Sequence, residues 1–426
     1  MASFSIPLSG LMAAQDQLQS VSNNLANMNT DGYKDQTVSF SDVFSQAGTT
    51  NGSGDPLQTG SGVRVSATSS NFTDGNRSAT GTSSNMAITG NGFFVTEGAN
   101  GLQEYTRAGD FTTNSSGQLV TPNGELVLGY PAVGGVVTNV SAELQPLQVS
   151  GLTSPAVATT TFNISGANLD ASAAVGDTGS PSTFDVYDSL GTSHTLSVTY
   201  TKTGTNTWDY SVTVPSADLS TGGTGTTQVA SGTLSFDSSG KLILSGTPPA
   251  TSISVAVPPV TTPATTFASG AASLTLKWNL VDSSGNPTLT QNASSSTAGT
   301  AKQDGYESGT LSSYTVQTDG TIEGTFSSGK TLELGQVAIA SFANVQGLVN
   351  VGNNNYQATF ASGTASIGEA GTGGRGSIVG GSVEESNVDI ATEFAKLIVA
   401  QQAYSANAKS ITTFNQVSQT TLAMLQ

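Results

Sequence analysis

The chain has 426 residues, enough for two or three domains with cores of their own. Only 10% of them are charged, the formal net charge is −17 and the 12 basic residues are scattered, so no patch tracks a phosphate backbone and nucleic acid is disfavoured as a partner. Cysteine is absent, which excludes disulfides and thiolate metal sites, and no window approaches the roughly 18 apolar residues of a membrane span.

The negative charge keeps unassembled copies soluble and apart. A Gly-, Ser- and Thr-rich chain without cysteine suggests an exported protein that does not rely on oxidative folding. The first basic residue is Lys34, so the N-terminus lacks the positive region of a cleavable signal peptide.

Residues 1–30 carry a heptad: Leu11, Ala14, Leu18, Val21, Leu25 and Met28 step by three and four. Pro7 suits a first helical turn, and Asn29 with Gly32 offers a stop. Residues 35–84 are poor in apolar residues and read either as an extended linker or as a long β excursion. Residues 85–144 give short strands broken by turns. Asn91-Gly92 stands between Ile88 and Phe93-Phe94-Val95, and Asn123-Gly124 stands between Leu119-Val120 and Leu126-Val127-Leu128; both read as hairpin turns.

Residues 145–300 are β in texture throughout, with alternation in Leu196, Val198 and Tyr200 and in Leu274, Leu276 and Trp278. Asp237 to Gly240 and Asp282 to Gly285 are turn signals. In residues 301–360, Asp319-Gly320 joins two alternating runs as a hairpin. Residues 361–385 read as a Gly-rich linker. The last stretch, 386–426, contains neither Gly nor Pro. Ser386 with Asp389 fits a capping box, and Ile390, Phe394, Leu397, Gln401, Tyr404, Ala408 and Ile411 continue in heptad steps, with a short stagger at Phe414. The two strongest helix signals therefore sit at opposite ends of a β-rich chain. A pairing of the terminal helices with each other, and with copies from neighbours, fits that layout.

The segment SGLMAAQDQLQSVSNNLANMNTDGYK resembles the N-terminal signature of the flagellar axial proteins, the rod and hook family, whose core is close to S-x-N-N-x-A-N-x-N-T-x-G-[FY]-K. The match covers Ser22, Asn23, Asn24, Ala26, Asn27, Asn29, Thr30, Gly32, Tyr33 and Lys34. The C-terminal stretch opening with Ser386, Asn387, Val388 and Asp389 is similar to the partner signature of the same family. Gln402 stands where the family commonly places Arg, which removes a charge from the helix face. Asp185 to Gly191 resembles the V-Y-D-S-L-G motif of the hook branch's outer domain, and the large insertion argues for hook over distal rod, the alternative within the family.

The resemblance implies an α+β, mostly β fold: terminal helices paired as a coiled coil, and two β-rich domains with the outer one inserted in the inner. The expected parts are 1–30 and 386–426 for the inner tube, 31–84 and 361–385 as connecting segments, 85–144 with 301–360 for the inner β domain, and 145–300 for the outer. The implied role is the structural subunit of the hook, a curved flexible tube that passes motor torque from rod to filament. The implied partners are copies of itself, the distal rod protein, the hook-filament junction protein, and the cap and length-control proteins. The implied location is the extracellular hook, reached through the flagellar type III apparatus without a cleaved signal peptide. The heptad residues are the expected assembly interface.

Chemistry of other kinds has little to stand on. His194 is the one histidine and, within Ser193-His194-Thr195, reads as an exposed polar residue of a strand face. Asp16, Asp31 and Asp35 read as helix or turn residues, and Glu384-Glu385 as acids at the positive end of the last helix. Met12, Met28 and Met424 fall on helix faces as core or interface residues. No D-x-[DN]-x-[DN]-G calcium loop occurs, and no catalytic constellation, cofactor site or metal site is expected. From another class, a secreted β-rich adhesin or carbohydrate-active enzyme would need a concave acidic or aromatic site, and Trp208 and Trp278 lie far apart in sequence.

Overall fold

The computed structural model describes residues 4–45, 59–98, 100–138, 143–244, 249–259 and 266–424. Residues 1–3 and 425–426 of the expected terminal helices, and 46–58 of the first connecting segment, lie outside these. The chain forms two compact units, one of Met1–Leu152, Ser313–Gly324 and Thr331–Gln426, the other of Thr153–Ser312 and Thr325–Lys330. The described residues are mostly β, with one long helix near each terminus.

In the first unit, helix α1 spans Ser5–Ala26 with Pro7 in its first turn. It stops before the Asn29–Gly32 signal, because Asn27 caps it and returns its Nδ2 to the Asn23 carbonyl at 2.9 Å. Gly32 then turns the chain at φ +70°, where any side chain would strike the Ala108 backbone. Strands β1 (Gln36–Ser45) and β2 (Thr59–Ser70) pair antiparallel, so the segment that allowed either linker or excursion holds a β excursion. Register shifts at Ser39/Phe40 and Asp42/Phe44 mark bulges in it.

The β body of this unit is built around the strand Phe93–Glu97. Phe94 enters one core with Phe111, Leu119, Val127 and Ile339, while Phe93 and Val95 enter a second with Tyr105, Tyr130 and Tyr356. Successive side chains point to opposite faces, so an unbroken apolar run is what a strand buried on both sides requires. Asn91-Gly92 does not close a hairpin: Met86–Thr89 pairs with Ser377–Gly380, and Phe93–Glu97 pairs with Gln103–Thr106. It is a corner between two sheets, made possible by φ +137° at Gly92, where Ile339 crowds the backbone. Asn123-Gly124 and Asp319-Gly320 do form tight turns, with Gly124 and Gly320 at φ +88° and +87°. The Gly-rich residues 361–385 contribute Ser366–Gly368, Ser377–Gly380 and Ser382–Glu384, three strands paired into the body, with glycines serving the corners between them.

Helix α2 spans Ile390–Ala423, 34 residues and about 51 Å long. Its cap is Asp389, whose Oδ1 accepts the Thr392 N–H at 2.7 Å; Ser386 lies outside the helix. The N-cap is therefore set three residues further on than the Ser386 pattern suggests. Asn387 holds Ser386 to Val388 extended: it accepts from the Asp35 N–H at 2.8 Å and donates to the Asn71 carbonyl at 2.8 Å.

The second unit has one core, in which the alternating residues meet: Leu196, Val198 and Tyr200 with Leu274, Leu276 and Trp278. A five-stranded antiparallel sheet runs through Ser182–Tyr187, Ser193–Gly204, Thr207–Pro215, Thr226–Phe236 and Leu242–Ile243. A four-stranded sheet sets Phe162 opposite Trp278, their rings 5.9 Å apart and nearly parallel. Trp208 lies fully buried in the same core, so the two tryptophans do structural work and line no surface site. His194 is not on an exposed face. The period of two that turns Leu196 and Val198 inward also turns His194 inward, where Nε2 meets Asp188 Oδ2 at 3.2 Å, Nδ1 meets Asp218 Oδ2 at 3.1 Å and the ring stacks on Phe267.

Candidate assembly surface and the motif junction

Helices α1 and α2 run antiparallel along each other. Three contacts fix the register: the rings of Phe4 and Phe414 at 6.0 Å, Gly10 against the Asn407 amide, and Asn24 Nδ2 donating to Glu393 Oε2 at 3.1 Å. The seam uses small side chains, with Ala13, Ala14 and Val21 buried on α1 and Ala400 on α2. Small residues let the two backbones approach closely. A side chain at Gly10 would collide with Asn407, whose Nδ2 returns to its own helix at the Ala403 carbonyl.

The predicted interface residues divide between the seam and the outside. Ala14 and Val21 are buried within the chain, and Leu11, Leu18, Leu25, Leu397, Ala408 and Ile411 are half-buried beside them. Met28, Ile390, Phe394 and Tyr404 are exposed. Heptad reasoning missed a second apolar stripe. Ile398 and Val399 on α2, and Ile6, Leu8 and Met12 on α1, are also exposed, as are Val417, Leu422 and Met424 towards the end of α2. The signal was present in the run Leu397-Ile398-Val399, since a helix apolar on more than one side has more than one neighbour to meet. Gln402 is exposed.

The motif residues form a buried polar junction where α1, the start of β1 and the base of α2 meet. Asn24 uses both ends of its amide. Oδ1 accepts from the Gln36 N–H at 2.9 Å and from the Tyr33 hydroxyl at 3.1 Å, while Nδ2 donates to the Gln36 carbonyl and to Glu393. Thr30 donates to Asn27 Oδ1, and Asn23 donates to the Tyr33 hydroxyl at 3.4 Å. Ala26 and Asn29 lie exposed at the helix end, and Val388 is half-buried.

Below this layer, Lys34 Nζ contacts Glu384 Oε1 at 2.5 Å and the Thr73 carbonyl at 2.7 Å. The other carboxylate oxygen of Glu384 takes Arg107 at 3.1 Å, and Arg107 also spans to the Gly90 carbonyl and lies over the Phe93 ring. Glu384 therefore does not serve the helix dipole; it ends the strand Ser382–Glu384 and bridges two buried cations, with Asp74 as the second carboxylate, 3.5 Å from Arg107. Burial pulls the Lys34 ammonium below its ordinary range, against the opposing pull of Glu384. Burial, reinforced by the charges of Asp35 and Glu393, pushes the Tyr33 hydroxyl up to about 12. Burial likewise raises the Asp35 carboxyl, with Lys396 opposing it.

This arrangement can hold two helices together at their base and can dock further apolar surface. Among the described residues, no group of three or more His, Cys, Asp or Glu is placed to hold a metal ion.

Comparison with known proteins agrees with this architecture. Residues 6–34 match the family profile described as flagella basal body rod protein, and residues 87–167 that of the flagellar hook protein FlgE/F/G D1 domain. Residues 158–306 match the flagellar basal body protein FlaE D2 domain, and 379–424 the flagellar basal body rod FlgEFG protein C-terminal profile. The flagellar hook protein FlgE of Salmonella typhimurium is 34% identical over 97% of this chain and 98% of its own length. That of Escherichia coli is 35% identical over the same shares, and that of Treponema pallidum is 33% identical over 98% of both chains. The crystal structure of Helicobacter pylori flagellar hook protein FlgE2 shares the fold at a TM-score of 0.51 and 16% identity, covering 71% of this chain and 98% of that one. The relatives matched from end to end are hook proteins, and the chain belongs to the flagellar hook protein family.

Proposed function

We propose that this chain is the self-assembling subunit of a bacterial flagellar hook, a curved flexible tube that carries motor torque from rod to filament. The observation that carries the reading is the second apolar stripe of the paired terminal helices. After α1 and α2 have satisfied each other, Phe394, Ile398, Val399, Ile6 and Met12 still face solvent. Each of these side chains is about half exposed, so completing its burial gains roughly 1 kcal/mol, and together they drive the pair to associate further. Residues 1–30 and 386–426 supply the inner wall of the tube, and its heptad packing resists twist. The polar Ser, Thr and Asn surfaces of the β-rich remainder slide past one another at little cost, because no large apolar area is exposed in doing so.

The role is structural, without catalysis. Its support is the family's structural character and a junction whose ionisable groups are buried and paired. Beyond copies of itself, the partners in this reading are the distal rod protein, the hook-filament junction protein, and the cap and length-control proteins that act during assembly. The chain reaches the extracellular hook through the flagellar type III apparatus.

Electron microscopy of the purified full-length chain, concentrated at raised salt to screen its −17 charge, tests the reading. Short curved tubes are expected. Straight tubes would favour the distal rod, and a persistent monomer would overturn the polymer reading.

A further inference from the structure

Among the described residues, Phe360 is the most exposed large apolar side chain, at 106% of the reference value. A mobile loop would leave such a ring without consequence, but this loop is tied down. Thr359 Oγ1 donates to the Gly347 carbonyl at 2.5 Å and accepts the N–H groups of Ala361 and Ser362. Ser362, itself buried, accepts the Thr359 N–H at 2.9 Å and donates to the Thr359 carbonyl. Asn344 donates to the Ala361 carbonyl at 3.0 Å, and the Gly347 backbone packs so closely on Ala361 and Ser362 that a side chain there would overlap both. The phenyl ring is thus held outwards on a pre-formed turn.

Beside it runs a second unguarded feature. The strand Val349–Gly352 is the edge of its sheet, with Gln357 of the Asn355–Gln357 strand opposite Val349. All four of its residues are exposed, Val349 at 52% and Val351 at 44%. An edge strand with outward valines and no charge of its own is an open template for contact. No charged residue occurs between Glu333 and Glu369. Glu104 and Glu125, which accept from the amides of Asn355 and Gln357, lie beside Val351 and Gly352 at the far end of the strand, so the uncharged surface centres on Phe360 and Val349.

We propose that Phe360, with the edge strand Val349–Gly352, is a subunit–subunit contact that receives a second copy of this chain. The charge pattern selects that occupant. Copies of a chain carrying −17 repel one another, so they meet most readily where charge is missing, whereas a basic partner would prefer an acidic face. A fixed aromatic ring that loses little freedom on docking is the usual form of an interface anchor. The contact is separate from the helix pair, and it rests on the self-assembly reading above.

The test uses full-length Phe360→Trp and Phe360→Ala beside the unaltered chain. Trp208 and Trp278 are fully buried, so an indole at 360 reports a site that is open in the free chain. On assembly its emission should move to the blue and its quenching by acrylamide should fall several-fold; unchanged quenching in tubes of this variant overturns the proposal. Phe360→Ala should keep the melting temperature and raise the critical concentration for assembly about tenfold or more. An unchanged critical concentration also overturns it. If the unaltered chain builds no tubes, the polymer reading itself falls, and the proposal with it.

Discussion

Asn24 on the first helix and Glu393 on the last are 369 residues apart in sequence and meet at 3.1 Å in a site closed to solvent. This one hydrogen bond ties the two ends of the chain at the base of the helix pair. The same Asn24 amide holds the backbone of Gln36 where the chain leaves for β1. Asn24 and Asn27 thus act as joints, their side chains meeting backbone groups at the helix end and at the start of β1.

Asn24→Ala should therefore be among the most damaging single changes in the helical region. It leaves the Gln36 N–H, the Tyr33 hydroxyl proton and one Glu393 oxygen without their partner, while Ser20 still donates to the Gln36 carbonyl, at a cost of about 3 kcal/mol. Urea unfolding followed by circular dichroism measures it, and a cost below about 1 kcal/mol would show that the junction is not cooperative.

Glu384→Ala leaves Lys34 without a carboxylate and Arg107 with the part-exposed Asp74 alone, at 3.5 Å, in a site where both Lys34 and Glu384 are about 1% exposed. Removing one member of such a group costs about 3–5 kcal/mol, more than the pair contributes when intact. Thermal melts should show the loss in the first unit, while Lys34→Met alone should be milder because Glu384 keeps Arg107.

Alkaline pH should loosen the junction late. Tyr33 and Tyr356 are each pushed up from 10.0 to about 12, mainly by burial, so the fold favours their neutral form. That contribution is complete below pH 10 and is lost as pH rises through about 12. Absorbance titration should show Tyr33 and Tyr356 among the late-ionising tyrosines of this unit, and Tyr33→Phe should remove one of these late ionisations while costing the buried hydrogen bond to Asn24.

His194→Ala should destabilise the second unit by about 2–4 kcal/mol, since it leaves Asp188 and Asp218 without their shared partner and opens a gap on Phe267. Asp188 keeps the Ser269 hydroxyl and the N–H groups of Leu190 and Thr192, so the turn itself should survive. Differential scanning calorimetry should show one transition lowered and the other unmoved.

Ile398→Glu reports assembly alone. The side chain is half exposed on the face of α2 away from the seam, so the melting temperature of the unassembled chain should change by the equivalent of less than about 0.5 kcal/mol. Tube growth should stop, because a carboxylate on that stripe cannot be buried between copies. Tubes of normal yield would remove this stripe from the interface.

Local pattern alone determined a good deal of this protein. Helix signals at both ends, strands of period two between them, the turns at Asn123-Gly124 and Asp319-Gly320, and the motif from Ser22 to Lys34 all follow from neighbouring residues and were legible without coordinates. The parity of Leu196 and Val198 even contained the burial of His194, although its polarity suggested the opposite.

What only the tertiary structure decided depends on pairs far apart in the chain. Asn91-Gly92 turned out to be a corner because the strands flanking it found other partners, Ser377–Gly380 and Gln103–Thr106. Ser386 lost the capping role to Asp389 because Asn387 was already bound to Asp35 and Asn71. Glu384 became the counter-ion of Lys34 and Arg107, and the helices kept one apolar stripe for each other and left another open. Sequence periodicity tells which side of an element is apolar, but which partner covers that side is set by the competition among all surfaces once the chain has closed on itself.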